Sequence, residues 1–341
     1  MNILDAPGYF DFVGEAEEAA AAADAAVIVV NGKNGVEVGT LKAWALCEKY
    51  SLPRMIFITN MDFDNASFRK ITEDLTEQFE EDRTDPLPIR ENEKFTGYVN
   101  VVKKAGRKWL EKGQKEECPI PEYLDEYLEK YRETLLEAVA ETSEEFMDRY
   151  FAGEEFSVHE IMMALTQNVS SGDIVPVAMG SPVQLRGVAN LLDDIVQYFP
   201  SPDKRSVAGI NTKTNEIFEA NYDFAKAKSA QVFKTIVDPF IGKYSMIKVK
   251  SGVIKSDDVI FNIDKDAEQK LNKLYVFEGS KPIEIPELHA GDIGAIAKLD
   301  KARTGDTLST KQHQSVTARS KFPFHILTNA TVQKTKGTRI K

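Results

Sequence analysis

Three continuous apolar runs, 26–31 (AVIVVN), 55–58 (MIFI) and 174–177 (IVPV), constrain this chain most. A strand apolar at every position is covered on both faces, which is the condition of a strand in a parallel sheet. The segments that flank and join them read as helices, over the alanine-rich 14–25 and over 40–50, 65–80 and 187–198. Strand, loop and helix in alternation predict a doubly wound α/β domain. The alternation is interrupted over about 84–173. That stretch holds short strand-like pieces such as 95–102, a long acidic helix or helix pair over 122–151, and a further helix over 157–168. It reads as an α+β insertion ahead of the last strand of the sheet. From about 229 the texture becomes short strands, including 229–237, 244–250 and 258–263, with turns roughly every ten residues, which predicts an antiparallel β-barrel.

At 341 residues the chain is long enough for two or three domains, each with a core. Its two cysteines, Cys47 and Cys118, are too few for a disulfide scaffold and suit a reducing compartment. It has no apolar run of membrane-spanning length, and Met1 leads directly into an expected core strand, so a cytoplasmic location without membrane contact is expected. The net charge of −11 is unevenly divided: residues 1–203 hold 19 Lys+Arg against 39 Asp+Glu, whereas 204–341 hold 24 against 15. Such a split suggests different partners for the two halves, with the basic half suited to a phosphate backbone. The four histidines, His159, His289, His313 and His325, lack ligand spacing.

Residues 3–12, Ile-Leu-Asp-Ala-Pro-Gly-Tyr-Phe-Asp-Phe, carry the chemistry of the first half. They read as a short strand ending at Asp5, a tight Pro7-Gly8 turn and a helix from Val13. In nucleotide-hydrolysing α/β domains such a turn sets a carboxylate near a bound Mg²⁺ and a glycine N–H near a γ-phosphate. The expected phosphate cradle, G-x-x-x-x-G-K-[S/T], occurs nowhere in the sequence.

Several blocks, in order, resemble translation elongation factor G. They are Asp5-Ala6-Pro7-Gly8 with Phe10-Asp11-Phe12, Gly35-Val36-Glu37-Val38-Gly39-Thr40, Leu52-Pro53-Arg54, Met61-Asp62, Gly180-Ser181 with Gly187-Val188, and Tyr198-Phe199-Pro200-Ser201-Pro202. Val237-Asp238-Pro239-Phe240-Ile241-Gly242-Lys243, Ala290-Gly291-Asp292-Ile293 and Thr304-Gly305-Asp306-Thr307-Leu308 continue the series. The resemblance implies a partial, truncated GTP-binding domain over 1–203, a linker over 204–221, a β-barrel second domain over 222–315, and the start of a third domain over 320–341. It places the family's phosphate cradle and first switch ahead of Met1, and further domains after the last residue. It also implies GTP/GDP and Mg²⁺ as cofactors, the ribosome as partner through small-subunit rRNA and the stalk protein, and a monomer when complete.

The resemblance further assigns residues. Asp5, Ala6, Pro7 and Gly8 lie at the γ-phosphate, with Asp5 toward Mg²⁺. Thr59, Asn60, Met61 and Asp62 stand where the family reads guanine with Asn-Lys-x-Asp, and Gly180, Ser181 and Pro182 stand at its second base-binding turn. Tyr9 occupies the place of the family's water-orienting His. A phenol titrates near ~10 and an imidazole near ~6.5, so Tyr9 cannot become cationic beside a developing phosphate charge. In the barrel, Lys243, Lys248, Lys250 and Lys255 are the RNA-phosphate candidates. The first expectation is a GTPase of ribosomal translocation or its regulation. The departures at Tyr9, Thr59 and Asn60 admit a ribosome-binding factor with little hydrolysis, of the ribosome-protection kind, or a gene fragment without a function of its own.

Overall fold

The computed structural model describes residues 1–79, 82–84, 86–92, 94–204, 208–212, 214–219, 222–238 and 242–317. The expected third-domain start at 320–341, together with Pro239, Phe240 and Ile241, lies outside them. Two compact units divide the chain: Ala23–Ser201, and Met1–Ala22 together with the residues from Pro202 onward.

In the second of these units, residues 1–8 form no strand, in contrast to the expectation for 3–5. Ile3 is 70% exposed, a 3₁₀ turn spans Phe10–Phe12, and helix α1 follows over Val13–Ala22. A strand requires a neighbour to bond its N–H and C=O groups. This segment instead finds an apolar seat, because Ala22 and Leu4 pack with Phe233, Tyr244, Met246, Ala295 and Ala297 of the β-domain. Lys234 pairs with Glu15 and lies 3.9 Å from Glu18.

In Ala23–Ser201, β1 (Ala26–Asn31), β2 (Arg54–Thr59), β3 (Asp82–Thr84) and, later in the chain, a fourth strand at Ile174–Met179 make a parallel sheet. Helix α2 (Val38–Lys49) connects β1 to β2, and α3 (Phe68–Phe79) follows β2. Trp44 of α2 stacks on Phe79 of α3 at 3.9 Å between ring centres, and the Arg54 guanidinium lies 4.0 Å from the centre of the Trp44 ring.

The interrupted stretch builds its own layer. Strands β4 (Leu87–Glu91), β5 (Lys94–Asn100), β6 (Ala105–Trp109) and β7 (Lys115–Cys118) form an antiparallel meander. The acidic run resolves into a helix pair, α4 (Asp125–Ala140) and α5 (Glu144–Phe151), with Ser143 capping α5 by accepting from the Phe146 N–H at 3.2 Å. Helix α6 (Val158–Ser171) packs Ile161, Leu165 and Val169 with Val99, Leu128, Leu135 and Val139 in one core. Strand β8 (Ile174–Met179), buried throughout, then enters the parallel sheet, whose order is β1-β2-β8-β3, and α7 (Val188–Tyr198) closes the unit.

The β-domain contains β9 (Ala208–Asn211), β10 (Ile217–Glu219), β11 (Ser229–Asp238), β12 (Gly242–Ser251), β13 (Val253–Lys255), β14 (Val259–Asn262), β15 (Ala267–Lys270), β16 (Leu274–Glu278), β17 (Lys281–Ile285), β18 (Glu287–His289), β19 (Ile293–Ala297), β20 (Thr307–Ser309) and β21 (Ser315–Thr317). Eight of them form one antiparallel sheet in the order β15-β14-β20-β11-β12-β19-β16-β17. Its core holds Val232, Ile247, Val249, Ile260, Leu274, Ile296 and Leu308. A register shift between Val232 and Lys234 makes Phe233 an extra residue opposite β12. Phe233 belongs to the cluster that receives Ala22.

Local geometry at two positions can be tested directly. Gly187, the residue before α7, has φ +79°, and a Cβ there would lie 2.3 Å from the Met179 carbonyl oxygen. Gly187→Ala is expected to cost roughly 1–3 kcal/mol, read as a lowered urea midpoint. Ser157 and Glu160 form a capping box on α6, and Arg149 bonds Glu160 at 2.7 Å. The Arg149 bond first, then those from the Ser157 N–H and hydroxyl, hold the Glu160 carboxyl down at about 2 against an ordinary 4.5. A depressed carboxyl stabilises the fold above its unfolded value and loses that contribution as pH falls through its folded one. The protection factors of amides at the start of α6, each referred to the intrinsic exchange rate at that pH, should therefore fall between pH 4.5 and 2 in the native chain. In Glu160→Gln they should be low already at neutral pH.

Candidate guanine-base site

The carboxyl ends of β1, β2 and β8 lie side by side because the strands are parallel and in register: Val30 faces Ile58, and Ile58 faces Met179. In open α/β sheets this edge is where ligands bind. Three loops leave it and are tied to one another by main chain. Gly180 N–H donates to Ile58 O at 2.9 Å, Met61 N–H to Gly180 O at 3.1 Å, and Gly32 N–H to Thr59 O at 2.8 Å. Ser67 N–H donates to Gly32 O at 3.3 Å. Thr59–Asp62 and Gly180–Pro182, far apart in sequence, are thus one knot.

Within it, Asn60 has φ +58°. Asn tolerates this left-handed conformation better than most side chains, which gives a conformational reason for Asn where the resemblance expects Lys. Met61 is fully buried. Ser181 is also fully buried and exchanges two main-chain bonds with Arg186, at 2.9 and 3.0 Å, making a miniature hairpin with Pro182 and Val183 exposed. Gly180 allows that closure, since a Cβ would meet Arg186 O at 2.3 Å.

Asp62 holds an unmet acceptor in this loop. Its Oδ1 is sealed from solvent and has no hydrogen-bond partner. An acceptor left in this state costs about 1–3 kcal/mol, a penalty that a donor-bearing ligand would remove. The rest of the loop is held by Arg90 of β4, whose Nη2 donates to Met61 O at 3.2 Å and Ala66 O at 2.9 Å. Sequence reasoning passes over Arg90, since a lone arginine in a short strand gives no signal. Its role depends on the meander being laid against the base loop.

The other proposed residues fall in the second unit. Asp5, Pro7 and Gly8 are exposed, Ala6 is half-buried, and Tyr9 is 80% exposed. Among the described residues no group of three or more His, Cys, Asp or Glu could hold a metal ion. Asp5 therefore forms no protein cage for Mg²⁺, an ion that takes much of its shell from water and phosphate.

The four barrel lysines separate. Lys248 is 1% exposed, and its Nζ donates to Gly291 O at 2.8 Å and lies 5.7 Å from the centre of the Tyr222 ring. Lys250, buried as well, lies 6.0 Å from the same ring. The expectation that these two meet RNA phosphates does not fit their burial, because β12 is covered on both faces and every residue from Tyr244 to Ser251 is buried. Lys243 is half-buried and donates to Ala302 O. Lys255 keeps an exposed side chain, 3.2 Å from Glu287. Among the described residues no helix is long and apolar enough to cross a membrane.

Residues 1–201 match the family described as Elongation factor Tu GTP binding domain, and residues 227–311 match Elongation factor G domain 2. A Thermus thermophilus protein of known crystal structure is similar at 31% identity, with a TM-score of 0.76 over 90% of this chain. The match covers 43% of that protein, so this chain spans less than half the length of its relative. The first family is one of guanine-nucleotide-binding domains. Matched along both its α/β and β-domain portions, the chain belongs to the elongation factor G-like family of translational GTPases.

Proposed function

We propose that the knot at the ends of β2 and β8 reads guanine through Asp62, in a factor that works on the ribosome in the cytoplasm, in translocation or its regulation. The observation that carries this reading is the unpartnered, buried Asp62 Oδ1. A carboxylate accepts from both donors on guanine's Watson–Crick edge, N1–H and the 2-amino group, which adenine does not present. Gly180 and Ser181 would flank the base from the neighbouring loop. GTP or GDP is the ligand in this reading. By the family resemblance, Asp5 and Gly8 are the candidates for the γ-phosphate and its Mg²⁺, an ion that would neutralise phosphate charge. The barrel would approach small-subunit rRNA through Lys255 and Lys243, and the insertion layer is a candidate surface for the stalk protein.

A second reading, ribosome binding with little hydrolysis, is favoured by one substitution, Tyr9 at the water-orienting position. Its hydroxyl can hold a water but cannot share a positive charge with the phosphate.

Because no phosphate cradle motif occurs in the 341 residues, GDP is expected to bind this chain more weakly than micromolar. Saturation-transfer NMR with millimolar GDP suits that range. Asp62→Asn should weaken GDP about tenfold or more and strengthen XDP, since an amide offers one donor and one acceptor to match xanthine's edge. Equal GDP binding by both forms would remove Asp62 from the base site. For hydrolysis, the chain would be joined behind a family phosphate-binding loop and assayed on ribosomes. Tyr9→His should then raise turnover, within the ~10²–10⁴-fold typical of such groups. No gain would show that Tyr9 is not limiting.

A further inference from the structure

A cleft of about 540 Å³ lies in the unit Ala23–Ser201, between the meander β5–β7 and helix α7. It shares Tyr98, Asn100, Asn190, Asp194 and Tyr198 with a smaller recess of about 80 Å³. The recess is further lined by Trp109 and Tyr131, so four aromatic rings surround it. Neither space is used by the proposed base site.

Two polar groups in this lining have no match. Trp109 is 7% exposed, and its indole N–H is sealed from solvent without a hydrogen-bond partner. Asp194 makes no hydrogen bond or ion pair among the described residues. Burial first, and the neighbouring Asp193 second, push its carboxyl up to about 6, with Lys115 and Lys103 partly offsetting them. Two of the nearby cations are engaged elsewhere: Lys115 Nζ donates to Asn190 Oδ1 at 2.9 Å, and Arg107 pairs with Glu117. The recess thus offers one unpaired donor, one carboxylate and several ring faces. Aromatic faces attract cations, most strongly where water is excluded.

We propose that this recess binds the head of a small organic ammonium that carries an oxygen acceptor on a neighbouring carbon, the amino-alcohol class. The ammonium meets Asp194 and the ring faces of Tyr98, Tyr131 and Tyr198. The oxygen accepts from the Trp109 indole N–H. The recess is sized for the head alone, and the 540 Å³ cleft takes any larger body attached to it.

The test uses the full chain, labelled with ¹⁵N. It has only two tryptophans, Trp44 and Trp109, so two indole N–H signals report it, assigned through Trp44→Phe. Ethanolamine at pH 7.5 is expected to shift the Trp109 signal saturably, and the neutral N-acetylethanolamine is not. Asp194→Asn should weaken binding at least tenfold, whereas Asp193→Asn, one residue away, should change it less than about threefold. In the unmodified chain, affinity should fall about tenfold between pH 7.5 and 5, as Asp194 takes its proton. That comparison needs no variant to fold. The groups facing Asp194 are Asp193 and Tyr198 from α7, and Tyr98, Lys103, Arg107, Lys115 and Glu117 from the meander and its turns. The proposal is overturned if ~100 mM ethanolamine leaves the Trp109 indole unmoved, if the neutral analogue binds equally, or if Asp194→Asn binds as well as the parent.

Discussion

The parallel register of β1, β2 and β8 is the constraint on which the first unit depends. Pairing Val30 with Ile58, and Ile58 with Met179, brings three strand ends to one edge. Only then can Gly180 N–H reach Ile58 O and Met61 N–H reach Gly180 O. A shift of one residue would turn every side chain of a strand to the opposite face, and the buried β2 and β8 leave no polar face to accept such a slip. The apolar pattern of the strands therefore fixes, through register, where Asp62 and Ser181 lie.

The insertion layer does more than cover the sheet. Its strand β4 supplies Arg90, which holds the carbonyls of Met61 and Ala66 and so limits the conformations open to the loop after β2. Its strands β5 and β6 supply Tyr98 and Trp109, which wall the recess beside α7. One added layer thus stiffens a loop at one border and encloses a cavity at another. In each case a side chain from the insertion completes something that the parallel sheet begins.

The β-domain has its own dependency. The extra residue Phe233 in β11 belongs to the cluster that receives Ala22 and Leu4. The alanine-rich α1 suits that seat, since small side chains let a helix approach a sheet closely, and Lys234 pairs with Glu15 beside it.

The sequence by itself determined the elements: apolar runs became β2 and β8, the acidic run became a helix pair, and the late strands became an antiparallel sheet, because period and turn chemistry are local properties. The resemblance to elongation factor G named Asp62, Gly180 and Ser181 as base-site candidates, and the strands that precede their loops are ones that periodicity locates. Only the tertiary structure decided what depends on contacts between distant segments. Residues 3–5 have strand composition, yet strand formation needs a neighbour, and Leu4 packs on the β-domain instead. Lys248 and Lys250 look like surface cations in a basic half, yet both are buried in β12 with Tyr222 beside them. Arg90, Trp109 and Asp194 carry no local signal, because an arginine, an indole or a carboxylate acquires a role only from what the fold sets opposite it.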